Sequence, residues 1–345
     1  MADSDLNEFE LIGRLTHGLP SRPDVEQAAG DDCAVLDPSG NMLLLATCDS
    51  QVEDVHFTFG TSSPEDIGRK ALAINISDIA AMGGEPRYAL ISLILPKQRS
   101  FQPEVLEGIY SGLRQEAEQF DVAIVGGNIA GTGQHKSSPL IIDITLLGAI
   151  ERGHELLRSG ASVGDTLCVT GSPGDSAAGL FTLLHPNLPY PVQARDTLRA
   201  IHRVPRPRVR EGRILSRFGP KIVTAMLDIS DGVSGDLHHI CERSHAGARL
   251  EVSRLPLSPA LRTIASVASH DPLGWALHGG EDYELLFSVS AGHEDMVIEA
   301  VQAATGTPVT AIGTILPAEE GMKLLWPDGH EEVLVPKSWD HLRAY

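Results

Sequence analysis

Residues 41–47 (NMLLLAT) form an apolar run too short for a helix, and they read as a buried strand that ends at Asp49. Ser63-Pro64-Glu65-Asp66 sets a capping Ser, a Pro at the first helical position and acids in the first turn. A helix is predicted from there to about Met82, where Gly83-Gly84 stops it. Ile67, Ala71, Ile74 and Asp78 fall at i, i+4, i+7 and i+11, so Asp78 shares the apolar stripe. It also lies in the last turn, where the helix dipole disfavours negative charge. Residues 88–95 read as a strand, 103–120 as an amphipathic helix, 122–125 as a short strand into Gly126-Gly127-Asn128, and 140–150 as a long strand. These elements predict strands with two helices on one face, an α+β sandwich.

A polar stretch at 151–164 (ERGHELLRSGASVGD ends on Asp165) marks a boundary, giving expected domains 1–150 and 151–345. The second half opens with a strand at 166–170, then the turn GSPGDS at 171–176 and an Ala-rich helix. A buried strand at 222–227 ends in Asp228, and Ser230 or Asp231 is expected to cap a helix carrying Val233, Leu237, Ile240 and Cys241. Strands at 283–289 and 309–315 flank a helix at 296–304. Both halves therefore offer strand-to-Asp junctions, as two related lobes would.

The length of 345 residues suits two domains, and 42% hydrophobic with 21% charged residues is the make-up of a globular chain. The formal charge of -19 argues against a nucleic-acid surface built on a basic face. A nucleotide ligand stays open, because bound magnesium reverses the local field. Cys33, Cys48, Cys168 and Cys241 show no metal-binding spacing. The acidic start MADSD has no basic and apolar leader regions, and no apolar run reaches ~18 residues. A cytoplasmic protein with reduced thiols and no membrane contact is expected.

Four carboxylate motifs, Gly30-Asp31-Asp32, Cys48-Asp49-Ser50, Asn75-Ile76-Ser77-Asp78 and Asp228-Ile229-Ser230-Asp231-Gly232, each fall at the end of a predicted element. Asp placed repeatedly at the edge of a core asks for a cation, and few Lys or Arg stand near these motifs. Divalent magnesium, with oxygen ligands and substrate phosphate, is the natural partner. Gly126-Gly127-Asn128 and the turn 171–176 could let a backbone approach a ligand, but each alone reads first as a plain turn. No GxxxxGK[ST] loop occurs. The arginine cluster from Arg203 to Arg213 reads as a solvated loop entering a helix, useful at most for steering anions. Gly279-Gly280-Glu281-Asp282-Tyr283-Glu284 suggests a ligand loop, while His56 and Trp339 are candidate organic-substrate contacts that ordinary packing would also explain.

Taken in order, GDDCAVL, NISDIAAMGG, GGN, RSGASVGD, TGSPGDSAAGL, DISDG and GGEDYELLF resemble the thiamine-monophosphate kinase family of the aminoimidazole ribonucleotide synthetase-like superfamily. The likeness runs from about residue 8 to residue 341. It implies an N-terminal α/β sandwich with a dimerising sheet, a C-terminal α+β domain, and ATP between them. The implied reaction is magnesium-assisted phosphorylation of thiamine monophosphate by ATP, in a cytoplasmic homodimer. Carried over by residue, Asp32, Asp49, Asp78, Asp228 and Asp231 are implied magnesium ligands, joined by oxygens of Thr47 and Cys48. Asp49, Asp78 and Asp228 would be central to catalysis. Tyr110, Gly127, Arg158 and Ser230 would contact the nucleotide, and His56, Glu281 and Trp339 the thiamine phosphate. Asn128 stands where many members carry a metal-binding Asp, and would serve metal or nucleotide through its amide oxygen. Cys48 replaces a common Thr, so its ligand atom would be the backbone carbonyl, and Asp54 stands where Gly is frequent. Alternatives are a selenophosphate or aminoimidazole ribonucleotide synthetase type of enzyme, or a nucleotide-binding maturation protein.

Overall fold

The computed structural model describes residues 16, 22–28, 30–96, 103–132 and 138–337. The first lobe holds β1 (Val25–Gln27), β2 (Ala34–Leu36), β3 (Met42–Val52), α1 (Pro64–Ala81), β4 (Glu85–Leu95), α2 (Pro103–Gln119), β5 (Ala123–Gly131) and β6 (Ile141–Glu151). Its six strands form one sheet in the order β1-β2-β3-β6-β4-β5. Only β4 and β5 pair in parallel, and α2 makes the crossover that parallel pairing requires.

The helix α1 starts as its sequence prescribes. The Ser63 hydroxyl accepts the Asp66 N–H at 3.1 Å, the Asp66 carboxylate accepts the Ser63 N–H, and Pro64 holds the first position. The apolar stripe understates its burial, because Gly68, Lys70, Asn75, Ile76 and Ser77 are enclosed as well. The reason is that α1 packs on β3 and β6 below, α2 beside it, and helix Val209–Phe218 of the second lobe above. That last approach needs glycine: a Cβ at Gly212 would stand 2.2 Å from the Ala80 carbonyl oxygen.

The second lobe adds β7 (Thr166–Thr170), α3 (Asp175–Leu184), α4 (Val192–Arg203), α5 (Val209–Phe218), β8 (Val223–Asp228), α6 (Val233–Ser244), β9 (Ala246–Glu251), α7 (Pro259–Ala268), α8 (Pro272–His278), β10 (Leu285–Val289), α9 (Glu294–Thr305), β11 (Val309–Pro317), β12 (Met322–Leu325) and β13 (Glu331–Val333). Its sheet runs β13-β12-β9-β11-β7-β10-β8, antiparallel except for β9 with β12. Each lobe has its own apolar core, one around Leu45, Leu72, Ile91 and Ile144 and one around Leu167, Leu227, Ile240 and Leu286. The molecule is thus a two-domain α+β structure of the expected class.

Three local expectations change. Asp49 does not end a strand, because β3 continues to Val52 and Asp49 pairs with Ile144 of β6. Gly126-Gly127-Asn128 is no turn but the middle of the edge strand β5, held by pairing with Leu90, Ile91 and Ser92. Gly127 has φ +156°, and a Cβ there would lie 1.8 Å from the Ile91 carbonyl oxygen, so this register requires glycine. Neither Ser230 nor Asp231 caps α6; the capping position is Gly232, and Asp236 reaches back to accept the Asp231 N–H at 3.1 Å.

Candidate active site at the lobe interface

Four elements deliver acids to one place. The loop before β2 brings Asp32, β3 brings Asp49, the last turn of α1 brings Asp78, and β8 ends on Asp228. Carboxylate oxygens of Asp32, Asp78 and Asp228 all lie within 4.8 Å of one another, the one such metal-sized group among the described residues. Strand alternation explains the neighbours. Thr47 and Asp49 face α1, and the Thr47 hydroxyl donates to Asp78 Oδ2. The Asp49 N–H donates to Asn75 Oδ1 at 3.1 Å. Cys48 points to the opposite face, its Sγ 3.6 Å from Asp143 Oδ1 and within reach of Thr145.

The second lobe completes the group. Ser77 Oγ donates to Asp228 Oδ2 at 2.5 Å, and Arg158 Nη2 donates to Asp32 Oδ1 at 2.6 Å. The Arg158 N–H also reaches Asp31 Oδ2 at 3.2 Å. One arginine against this many acids leaves negative charge over, and the carboxyls respond. Burial, then the charges of Asp32 and Asp143, push Asp49 up to about 6. Burial, then Asp32, push Asp31 up to about 7. Asp78 and Asp228 stand well above the usual carboxylate range, through burial first and then Asp49 and Asp32 respectively. Like charges this close cannot all ionise without a cation. Asp32 Oδ2, buried and without a hydrogen-bond partner, is the kind of atom a cation satisfies. The donor set is all oxygen, which suits magnesium rather than zinc.

A second group adjoins the first. Glu281, with φ +65°, donates its N–H to the Ser230 carbonyl at 2.7 Å. Its Oε1 lies 2.6 Å from Lys70 Nζ, and its Oε2 3.5 Å from His202 Nδ1. Burial alone would raise this carboxyl; the Lys70 ammonium beside it holds it below its usual value. His56 Nδ1 accepts the Val52 N–H at 3.0 Å, which leaves Nε2 to carry the proton of the neutral ring. Tyr283, at φ +52°, borders both groups: burial, then the charges of Glu281, Asp49, Asp228 and Asp78, push its phenol well up.

The structure therefore gathers Asp32, Thr47, Asp49, Asp78, Arg158 and Asp228, and places Ser230, Glu281 and His56 beside them. Asp231 follows in the same loop and influences Asp236 together with Asp228. Gly127 is different. The row Asp49–Ile144–Ile91–Gly127 crosses the sheet, putting Gly127 three strands, or about 14 Å, from Asp49. Asn128 shares the next row with Ser50, Asp143 and Ser92, on the face that carries Cys48. Within one chain it is not in the acidic group. Tyr110 is half-buried on α2 and packs against the first core. Trp339 lies outside the described residues.

Lys70 and His202 belong to none of the motifs singled out in the sequence, and Ser77 and Tyr283 stand in them without a role of their own. A lysine inside KALAINISDIAA was the available signal, since charge in so apolar a helix asks for a partner. Two further motifs take their meaning from distant partners. The amides of Gly174 and Ser176 are taken by the buried Asp282 carboxylate, at 2.6 and 3.0 Å, so the turn 171–176 is filled from within. The arginine cluster does enter a helix by a loop, with Arg206 exposed, but most of it is engaged: Arg203 donates to the Thr61 carbonyl, Arg208 pairs with Glu284, Arg210 donates to the Ala304 carbonyl, and Arg213 donates to the Gly83 carbonyl.

Known proteins match this arrangement over both lobes. The family models for the AIR synthase related protein, N-terminal and C-terminal domains, match residues 30–150 and 162–323. Thiamine-monophosphate kinase of Bacillus subtilis (strain 168) is 35% identical over 98% of this chain and 100% of its own length. Its counterpart in Escherichia coli (strain K12) is 36% identical over 97% of this chain and 98% of its own. A solved structure described as AaThiL complexed with AMPPCP and TMP superposes with a TM-score of 0.83 at 33% identity, covering 99% of each chain. Hydrogenase maturation protein HypE in complex with ATP shares the fold at 19% identity and a TM-score of 0.70. The chain belongs to the thiamine-monophosphate kinase family, within the AIR synthase related proteins.

Proposed function

We propose that this protein transfers the γ-phosphoryl group of ATP to thiamine monophosphate, giving thiamine diphosphate and ADP. The observation that carries the reading is the interlobe acid group of Asp32, Asp78 and Asp228 beside Glu281, in a chain whose solved relative is described as complexed with AMPPCP and TMP. Residues 1–150 and 151–345 are taken as the two domains that close on this site.

The acceptor brings its own nucleophile. A phosphate monoester has a second pKa of about 6 and is mostly dianionic at neutral pH, so no side chain need remove a proton. The obstacle is repulsion between two polyanions. Magnesium, when bound, supplies the positive charge that lets them meet in line. Asp32, Asp49, Asp78, Asp228 and Asp231 would hold it, with Thr47 and the Cys48 carbonyl as further oxygen ligands; Asn128 would join them only from the second copy of a homodimer. The chain's part is positioning. Thr47 and Ser77 fix the carboxylates of Asp78 and Asp228 by hydrogen bonds, and Arg158 orients Asp32. Arg158, Ser230, Tyr110, Gly127 and Asn128 are the proposed nucleotide contacts. His56, Glu281 and Trp339 are the proposed contacts to the thiamine part, Trp339 suited to lie on a cationic ring.

A homodimer is proposed as well. Tyr88, Leu90, Val125 and Ile129 leave 48%, 43%, 58% and 64% of their surfaces exposed on β4 and the edge strand β5. An apolar edge of this kind invites pairing with a second copy. Such pairing would cover Gly127 and Asn128, whose distance from Asp49 is too great for one phosphate group to bridge. Among the described residues no helix is long and apolar enough to cross a membrane, and a cytoplasmic location is part of the same proposal.

The experiment is an ATP-consumption assay with thiamine monophosphate and unphosphorylated thiamine as paired acceptors. Turnover with the monophosphate alone is expected. Turnover of thiamine would contradict the acceptor chemistry, because it lacks the nucleophilic phosphate.

A further inference from the structure

Lys70 is the anomaly that the phosphoryl-transfer account leaves unused. It sits two turns into α1, 4% exposed, in a segment whose neighbours are Ala71, Leu72 and Ala73. A buried ammonium persists only with a partner. Its partner comes from the other lobe: Glu281 Oε1, at 2.6 Å. The second oxygen of that carboxylate faces His202 Nδ1 at 3.5 Å, and Ser176 Oγ stands 3.1 Å from the same ring nitrogen. Glu281 is thus held from α1 by Lys70, while His202 at the end of α4, bonded to Ser176 of α3, stands beside its second oxygen. Its backbone is held in a left-handed conformation at φ +65°, which a non-glycine residue adopts only when its surroundings enforce it. The side chain still leaves 25% of its surface open.

The helix makes the connection. Lys70 and Ser77 are seven residues apart on α1, about 10 Å along its axis. Each binds a carboxylate of the second lobe, Lys70 at Glu281 and Ser77 at Asp228. Glu281 in turn bonds through its N–H to Ser230, two residues past Asp228. One rigid helix therefore fixes the acid group and the Glu281 loop relative to each other.

We propose that Lys70 is a positioning residue for the acceptor, which sets Glu281 across the lobe interface, with His202 beside the opposite oxygen, so that the organic part of the acceptor is read at a fixed distance from the acid group. The proposal rests on the reading of Glu281 as an acceptor contact. Lys70 itself need not touch substrate.

The test measures binding of thiamine monophosphate and, separately, of magnesium with a non-hydrolysable ATP analogue, by calorimetry on the full chain. The variants are Lys70→Gln, Glu281→Gln and the double variant. Lys70→Gln and Glu281→Gln should each weaken thiamine monophosphate binding about tenfold or more, with the double variant no weaker than Glu281→Gln alone. Binding of the ATP analogue should change by less than about threefold. Equal losses for both ligands, independent effects that add, or unchanged acceptor affinity in Lys70→Gln overturn the proposal. If Lys70→Gln does not fold, His202→Gln carries the test: it should weaken acceptor binding selectively, and unchanged acceptor affinity overturns the proposal. Absence of thiamine monophosphate binding by the unaltered protein overturns the acceptor reading itself, and this inference with it.

Discussion

Ser77 Oγ donates a hydrogen bond to Asp228 Oδ2 at 2.5 Å, joining a helix of one lobe to a strand end of the other inside the acid group. Both residues are buried, at 0% and 4% exposure, so neither can turn to water instead. Ser77→Ala would leave the carboxylate short of a donor, and a loss of about 1–3 kcal/mol in unfolding free energy is expected. Denaturant unfolding at neutral pH measures it. An unchanged midpoint would mean that the bond contributes nothing to holding the lobes together.

Asp49 projects from the middle of β3 toward α1, and its carboxyl is pushed up to about 6 by burial and by the charges of Asp32 and Asp143. As a magnesium ligand it must be ionised. Asp49→Asn keeps the shape and removes the charge, and a fall in kcat/KM of about a hundredfold or more is expected. Near-normal turnover in saturating magnesium would remove Asp49 from the metal set.

Unbalanced acids also give a prediction that needs no substrate. Any cation that binds the folded group and not the unfolded chain raises the melting temperature by mass action. Magnesium should therefore stabilise the protein, and a chelator should reverse it. In Asp78→Asn the magnesium-induced rise should shrink or vanish. An equal rise in that variant would place the ion elsewhere.

Gly127 tests the edge strand. A Cβ would approach the Ile91 carbonyl oxygen to 1.8 Å at φ +156°, so Gly127→Ala must move β5 away from β4. Weaker binding of the ATP analogue and a lower melting temperature are expected together, with thiamine monophosphate affinity less affected. Unaltered nucleotide binding would take Gly127 out of the site.

His202 gives the pH dependence a sign. Burial first, and then the charge of Lys70, lower its pKa from the ordinary 6.5 to about 4. Between those values the unfolded chain binds the proton and the folded one does not, so stability is lost as pH falls from about 6.5 toward 4. His239, lowered to about 3 by burial and by Arg158, adds to the same window. His202→Gln should flatten part of that slope in melting temperatures taken between pH 7 and about 4.5. An unchanged slope would show that His202 does not titrate in this way.

The sequence made α1 readable to within a residue, because Ser63, Pro64, Asp66 and Gly83-Gly84 are local signals that act through backbone geometry nearby. It made the acids Asp32, Asp49, Asp78 and Asp228 readable as a set, since each is out of place in an apolar setting. Strand length was less legible. Asp49 and Gly127 fall inside β3 and β5 because pairing with distant β6 and β4 carries those strands onward, and pairing of that range leaves no local mark. The arginines misled for a related reason. Arg203, Arg208 and Arg213 look like a solvated run until the chain brings Thr61, Glu284 and Gly83 against them. Lys70 and Glu281, 2.6 Å apart in space, are separated by most of the second lobe in sequence.

Phosphoryl transfer to thiamine monophosphate is the step on which every residue role above depends. The direct measurement incubates the protein with ATP, magnesium and thiamine monophosphate and reads the products by mass. Equal amounts of thiamine diphosphate and ADP, dependent on magnesium, are predicted. ADP formed without thiamine diphosphate, or no consumption of ATP at all, would show that the protein does not carry out this transfer.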